Sequence, residues 1–150
     1  MKNPLNLSTS NNLPIVRIAP VCNGKIYVVP RRPDGAKTPR LDLPIEERVE
    51  HFSPNSEKSI RKIKEKYHLH LHTSATPRFS VQYKSEADNG STVYLYILPL
   101  KSEDEIHFHD GEFVKSEDME ENATLYSMNL QKESGLLGMA AELWEDFYGE

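Results

Sequence analysis

The segment that most constrains the fold is a run of apolar and aromatic residues at positions 91–100 of the 150-residue chain. Its side chains do not alternate between apolar and polar, which is typical of a strand that is buried on both faces. Such a strand lies in the middle of a sheet and needs a packing layer on each side. We therefore predict a mixed sheet that is covered by helices.

The other segments supply strands and helices in an order that suits this architecture. Asn23-Gly24, between two β-rich stretches, predicts a two-residue hairpin, because both central positions of that turn favour positive φ. Ser53-Pro54 and the apolar spacing that follows predict a helix over residues 54–67, with Ser53 as its N-cap. A second amphipathic helix is predicted over residues 135–148, and period-two alternation predicts a strand at 68–72.

Length and composition favour a single α/β (α+β) domain over residues 13–150, preceded by a flexible polar tail at 1–12. We find no apolar leader and no run of the roughly 20 apolar residues that a membrane helix needs. Cys22 is the only cysteine, so a disulfide framework and a cysteine zinc site are excluded. We expect a cytoplasmic protein that does not contact membranes and keeps Cys22 as a core thiol.

Charge is distributed unevenly along the chain. Residues 1–100 hold 15 Lys and Arg against 9 Asp and Glu, whereas residues 101–150 hold 3 against 14. The net charge of −5 argues against a nucleic-acid partner. The basic excess in the first two-thirds suits a smaller, phosphate-bearing ligand.

The stretch from Arg61 to Leu69 resembles the second half of the Nudix hydrolase signature, G-x5-E-x7-R-E-U-x-E-E-x-G-U, in which U is a bulky aliphatic residue. The matching residues are Arg61, Ile63, Glu65 and Leu69. The departures are Lys62 and Lys66 at two glutamates, His68 at a glycine, Glu47 at the opening glycine and Ser53 at the isolated glutamate. The first hairpin and the block at 112–119 extend the resemblance over about residues 13–148, and it implies a Nudix-like α/β/α sandwich with a mixed β-sheet.

The resemblance also implies a chemistry, which the departures change. In Nudix hydrolases the signature glutamates bind Mg²⁺ or Mn²⁺, and the metal assists hydrolysis of a nucleoside-diphosphate-linked compound. An ammonium group has no lone pair to offer a cation, so Lys62 and Lys66 remove two ligands and add two positive charges. We therefore expect a non-catalytic domain that needs no cofactor and binds a nucleotide or another phosphorylated small molecule.

The candidate ligand contacts are basic residues that the resemblance places near the cleft: Arg31, Arg32, Arg61, Lys62 and Lys66. Lys58, Lys62 and Lys66 stack four residues apart on the predicted helix. A row of lysines in a phosphate cleft and an ordinary solvated helix face both explain this spacing.

Two other functions stay open at this point. An active hydrolase would use Glu65 as its catalytic carboxylate and hold Mg²⁺ or Mn²⁺ with Glu65 and the acidic residues before the helix, Glu46, Glu47 and Glu50. A solvated acidic loop is the ordinary explanation of those three residues. The other alternative is a protein-interaction module that uses the C-terminal helix, with a homodimer as one form of it.

Histidines form two groups that could be mistaken for metal ligands. His68, His70 and His72 share one face of the predicted strand, but their spacing of about 7 Å makes it difficult for one flat strand to supply three ligands. His107 and His109 form a similar short pattern. We expect half-buried surface histidines in both groups.

Overall fold

The computed structural model describes residues 13–32, 37–50, 52–54 and 56–148, and side chains as far as residue 144. The predicted tail over residues 1–12 lies outside these ranges. Within them the strands are β1 (Ile15–Cys22), β2 (Lys25–Arg31), β3 (Arg40–Asp42), β4 (Ile45–Arg48), β5 (Arg78–Ser85), β6 (Ser91–Pro99) and β7 (Glu112–Lys115). The α-helices are α1 (Glu57–Glu65), α2 (Ser116–Glu121) and α3 (Met128–Tyr148).

The strands form one mixed sheet, as predicted. Strand β6 lies inside it, with β1 parallel along one edge and β5 antiparallel along the other. Strand β1 also pairs antiparallel with β4, and at the hairpin end with β2. Strand β2 in turn pairs with β3 and β7. The apolar run at residues 91–100 therefore forms an interior strand.

Helices cover both faces of this sheet. The Tyr96 hydroxyl donates a hydrogen bond of 3.1 Å to the carbonyl of Pro54, just before α1. The next residue, Ile97, shares an apolar groove with Ala140 and Leu143 of α3. Consecutive side chains of a strand point to opposite faces. Helix α1 therefore lies on one face of the sheet and α3 on the other, which confirms the predicted sandwich.

The predicted turn at Asn23-Gly24 is confirmed. These residues have φ values of 51° and 78°, and they join β1 to β2 with Cys22 opposite Lys25. Asn89 and Gly90, with φ values of 57° and 79°, close the second hairpin between β5 and β6. Both turns use residues that tolerate the left-handed region at low cost.

Both predicted helices begin elsewhere. Helix α1 begins at Glu57 because the Ser53 carbonyl accepts a turn hydrogen bond of 3.0 Å from the Ser56 amide. Ser56, rather than Ser53, is the N-cap, and its hydroxyl accepts a 3.3 Å hydrogen bond from the Ser59 amide. Helix α3 begins at Met128 rather than at residue 135, well before its apolar periodicity becomes visible in the sequence.

The predicted strand at residues 68–72 is wrong. Residues 66–70 form turns, and Leu71 makes an isolated bridge to Ile106. The His70 ring stacks on Phe108 with centroids 4.2 Å apart, so it serves as a packing surface. No helix in the described part of the chain combines the length and apolar character that crossing a membrane requires.

Candidate functional site

A buried arginine organises the polar interior of the molecule. Arg17 lies in β1, whose eight residues are all buried. Its Nε and Nη2 donate to the two carboxylate oxygens of Glu133, each at 2.8 Å. Nη2 also donates to Asp42 Oδ1 at 2.8 Å, and Nη1 donates to Glu46 Oε1 at 2.7 Å. We call Arg17, Asp42, Glu46 and Glu133 the Arg17 cluster.

The four residues come from four elements, which the cluster connects. Arg17 is on β1, Asp42 on β3, Glu46 on β4 and Glu133 on α3. The Tyr83 hydroxyl of β5 adds a 2.6 Å hydrogen bond to Glu133 Oε2. Three carboxylates surround one guanidinium, so negative charge exceeds positive charge inside the cluster when all are ionised.

Burial and the guanidinium affect the carboxyl groups differently. Burial raises the pKa of the Glu133 carboxyl, against the opposing effects of Arg17 and of the Tyr83 hydroxyl. Desolvation also acts on Asp42, but Arg17 and the Leu43 amide outweigh it and hold the pKa of that carboxyl below its usual range. Burial beside Glu133 raises the pKa of Tyr83, so its hydroxyl stays a donor.

A cleft of about 680 Å³ lies next to this cluster. Its lining residues are Arg31, Arg32, Arg40, Asp42, Glu46, Ala87, Asp88, Ser127, Met128 and Asn129. Asp42 and Glu46 belong to both the lining and the Arg17 cluster. We call this space the arginine cleft.

The arginines of the cleft stand close to one another. Arg31 of β2 and Arg40 of β3 are directly paired across the two strands, and Arg32 follows Arg31. Like charges at such positions repel each other. Arg31 Nη2 donates to the Pro44 carbonyl at 3.0 Å, but no described carboxylate forms an ion pair with any of the three. Arg31 also acts electrostatically on Glu47 and helps to lower the pKa of its carboxyl, so the charges of Arg32 and Arg40 are the more available to an anion.

The opposite wall of the cleft is held by hydrogen bonds between side chains. The Ser85 hydroxyl lies 2.8 Å from Asp88 Oδ2 and 2.9 Å from Asn129 Oδ1. Asn129 Nδ2 donates to the same Asp88 oxygen at 3.0 Å, and Arg48 binds the other at 2.8 Å. The β5–β6 hairpin is therefore fixed to the first turn of α3.

The lysines predicted to contact the ligand do not line the arginine cleft. Lys66 Nζ is 2.6 Å from Glu47 Oε1, and the Tyr67 hydroxyl donates to Glu47 Oε2 at 2.6 Å. Glu47 is partly desolvated, but these two donors hold its pKa below the usual range. Arg61 and Lys62 are exposed on α1.

Glu46 and Glu47 mark the two sides of β4 between which the predicted ligand contacts are distributed. They are consecutive on β4 and point to opposite faces, Glu46 to Arg17 and Glu47 to Lys66. The structure therefore brings Arg31 and Arg32 together in the arginine cleft, with Arg40. Arg61, Lys62 and Lys66 belong to α1 and the turn after it and are not among the cleft-lining residues.

The carboxylates proposed for Mg²⁺ or Mn²⁺ are either bound to cationic side chains or exposed. Arg17 already binds Glu46, and Lys66 already binds Glu47. Glu65 and Glu50 are exposed, and Glu65 forms no ion pair with any described residue. Within the described ranges, no three His, Cys, Asp or Glu residues group in a way that could hold a metal ion.

Cys22 is buried in β1. Burial raises the pKa of the Cys22 thiol to about 11, which keeps it protonated.

Several residues of the site escape the sequence analysis. Arg17 has one visible signal, a charged residue between Val16 and Ile18 in an otherwise apolar strand. Asp42, Asn129 and Glu133 have none, because their role depends on partners far away in the chain. Arg40 has no sequence signal beyond its positive charge, because its place beside Arg31 depends on the pairing of β2 with β3.

No protein-family model matches the sequence, and no curated protein matches it. Several solved structures match the fold of this chain. DR0079 from Deinococcus radiodurans superposes with a TM-score of 0.56 at 14% identity, over 83% of this chain and 82% of that one. A Nudix hydrolase from Nitrosomonas europaea gives 0.53 at 15% identity, over 87% and 89%. Tm1382, which is assigned to the Nudix hydrolases, gives 0.57 at 12% identity, over 86% and 72%. The chain therefore has the Nudix hydrolase fold.

Proposed function

We propose that this Nudix-like domain binds a nucleotide or another phosphorylated small molecule in the arginine cleft and does not hydrolyse it. The observation that carries the proposal is the group formed by Arg31, Arg32 and Arg40 at a cleft of about 680 Å³. Neighbouring guanidinium groups repel one another, and an anion relieves that repulsion. Among the described residues, no carboxylate forms an ion pair with Arg31, Arg32 or Arg40, although Arg31 acts electrostatically on Glu47.

The shape and chemistry of the cleft support a small phosphorylated ligand. Its volume lies in the range of about 300–1,000 Å³ that is usual for small-molecule sites. Arginine is well suited to phosphate because its planar group presents paired donors to two phosphate oxygens. Arg31 and Arg40 also lie on paired strands, which limits the loss of backbone entropy on binding.

The non-catalytic part of the proposal rests on the carboxylates. Metal-dependent phosphoryl chemistry needs carboxylate oxygens that hold the divalent cation beside the substrate phosphates. In this chain Glu46 and Glu47 point to opposite faces and each has a cationic partner. Lys62 and Lys66 occupy two of the positions that the Nudix signature assigns to glutamates.

Calorimetric titration with pyrophosphate and with nucleoside diphosphates tests the binding proposal. We expect Arg32→Gln combined with Arg40→Gln to weaken binding by at least about tenfold, because two charge-assisted contacts are lost. Arg61→Gln combined with Lys62→Gln removes the same charge from α1 and is the matched control. If only the α1 pair weakens binding, the ligand lies on the helix face instead. If no phosphate compound binds, the proposal is wrong.

A turnover assay tests the non-catalytic part. Nucleoside-diphosphate derivatives are incubated with the protein and Mg²⁺ or Mn²⁺. The products of diphosphate cleavage, a nucleoside monophosphate and the phosphorylated second group, are separated by chromatography and measured. We expect no turnover above background. Turnover that Glu65→Gln abolishes would establish the active hydrolase, with Glu65 as its catalytic carboxylate and Glu46, Glu47 or Glu50 as further ligands.

A second candidate function is self-association through α3. Met139 and Leu143 are four residues apart on this helix, and they are 64% and 51% exposed. Two apolar side chains on one exposed helix face suit a homodimer contact. Light scattering after gel filtration measures the mass directly, and Met139→Lys with Leu143→Lys would return a dimer to a monomer. A monomeric wild-type protein would exclude this candidate.

A further inference from the structure

The arginine cleft separates positive from negative charge along one strand. Arg40 and Asp42 are two residues apart on β3, both line the cleft, and they therefore project from the same face about 7 Å apart. Arg31 lies opposite Arg40, whereas Asp42 lies opposite Val29. The arginines thus lie at one position along β3, which we call the arginine level of the cleft. Asp42 and Glu46 lie next to it on the side of the Arg17 cluster, and we call this the carboxylate level.

The carboxylate level keeps unmatched negative charge. Among the described residues, Arg17 is the one cation that binds Asp42, Glu46 and Glu133. The Glu46 side chain is 24% exposed, the most open of the three, and its hydrogen bond to Arg17 uses only Oε1. Within the described part of the chain, Glu46 Oε2 has no hydrogen-bond partner. It is therefore an acceptor available to the contents of the cleft.

We propose that the ligand of the arginine cleft is a phosphate monoester that also carries a protonated amine. Its phosphate binds Arg31, Arg32 and Arg40, and its ammonium group binds Glu46. This inference rests on the proposed function, because it specifies the ligand of the same cleft.

The spacing of the charges sets the size of the ligand. Arg40 and Asp42 are adjacent positions on one face of β3, and Asp42 and Glu46 bind the same guanidinium, so a phosphorus and a nitrogen joined through a short chain suit the two levels. A phosphate ester with two or three methylene groups before the amine meets this requirement. An uncharged alkyl group of equal length would instead remove water from the Glu46 carboxylate and offer it neither a hydrogen bond nor a positive charge.

Matched pairs of simple compounds test the inference. The probes are 2-aminoethyl phosphate against ethyl phosphate, and 3-aminopropyl phosphate against propyl phosphate, titrated calorimetrically into the full-length protein in EDTA. We expect the amino compound of at least one pair to bind about tenfold more tightly, as a single charge-assisted hydrogen bond predicts.

Two variants assign the preference to Glu46. Glu46→Gln removes the negative charge but keeps an oxygen for Arg17, so we expect the affinities within each pair to become equal. Glu120→Gln makes the same change at an exposed position of α2 and should keep the preference. Melting temperatures of both variants show whether each is folded.

The failures can be told apart. Equal affinities within both wild-type pairs would overturn the inference while leaving phosphate binding intact. The inference also fails if Mg²⁺ raises the affinity for propyl phosphate to that of the amino compound, because a free cation then fills the carboxylate level. If none of the four compounds and no inorganic phosphate binds, the proposed function fails as well.

Discussion

Arg17 places a charge in a strand whose other residues are almost all apolar. Removing a guanidinium from water costs several kcal/mol, and only good geometry with several acceptors compensates this cost. The four short contacts of 2.7–2.8 Å to Glu133, Asp42 and Glu46 meet that condition. Because the acceptors come from β3, β4 and α3, Arg17 helps to fix the positions of these three elements relative to β1.

We predict that Arg17→Met lowers the free energy of unfolding by about 3–5 kcal/mol at neutral pH, because it leaves buried carboxylates without a partner. Without the guanidinium, burial places the pKa of Asp42 above its unfolded-state value. A raised folded-state pKa favours folding at low pH and loses that contribution as pH rises. The deficit relative to wild type should therefore be smaller at pH 5 than at pH 8.

Urea denaturation at the two pH values measures this difference. Arg61→Met, on the exposed face of α1, is the control for the loss of one positive charge. Arg17→Lys keeps the charge but loses most of the hydrogen bonds, and it should be intermediate. A deficit that grows toward acid pH would contradict this account of the cluster.

At the scale of elements, α1 depends on its cap. The Ser56 hydroxyl accepts the Ser59 amide, which is one of the unpaired donors of the first turn. We predict that Ser56→Ala lowers the free energy of unfolding by about 1 kcal/mol. Ser56→Asp should retain wild-type stability, because a carboxylate caps the same amide. Thermal melts of both variants measure this, and equal losses in the two would exclude a capping role.

The lysines of α1 provide a second test at this scale. Lys62→Glu combined with Lys66→Glu creates three neighbouring carboxylates with Glu65 and removes the cation from Glu47. We predict that this variant gains Mn²⁺ binding at a roughly millimolar dissociation constant, as an open carboxylate site does. Calorimetry measures the gain, and Lys101→Glu with Lys115→Glu is the charge-matched control. No difference between the variants would mean that α1 does not align with the Nudix signature.

Sequence patterns predict the elements whose formation depends on residues that are close together in the chain. The Asn23-Gly24 turn, the interior strand and the existence of both long helices follow from local propensity and periodicity. The start of α3 does not, because its first turns bury Asn129 and Glu133, whose partners are Ser85 and Arg17. Two of the five predicted ligand contacts, Arg31 and Arg32, line the cleft. They lie at the end of a hairpin strand, whose position the local turn sets, whereas the direction of each α1 lysine depends on how the helix packs.

At the scale of the whole molecule, the uneven charge distribution has a structural counterpart. The basic first two-thirds supplies all three arginines of the cleft. The acidic last third contributes Ser127, Met128 and Asn129 to the cleft lining, and none of these is charged. Its acidic side chains include Glu133 inside the Arg17 cluster and exposed residues of α2. Among the described residues, the acidic third therefore does not neutralise the arginine cleft.

Stability should decrease from the middle of the sheet toward its edges. Strand β1 is buried throughout and pairs along both edges with β4 and β6, whereas β3 has three residues, pairs with β2 and is otherwise joined by a single bridge from Leu41 to Tyr126. Amides that open only on global unfolding exchange most slowly. We predict by hydrogen-exchange mass spectrometry that β1 and β6 are the most protected and that β3 exchanges much faster.

The same measurement locates the ligand on the whole molecule. A ligand that binds the arginines stabilises the strands that carry them, so pyrophosphate should slow exchange in β3 and at the end of β2. Helix α1 should keep its rate, because its lysines lie outside the cleft. Protection of α1 without protection of β3 would move the binding site to Lys62 and Lys66, and equally fast exchange in β1 and β3 would contradict the order of stability.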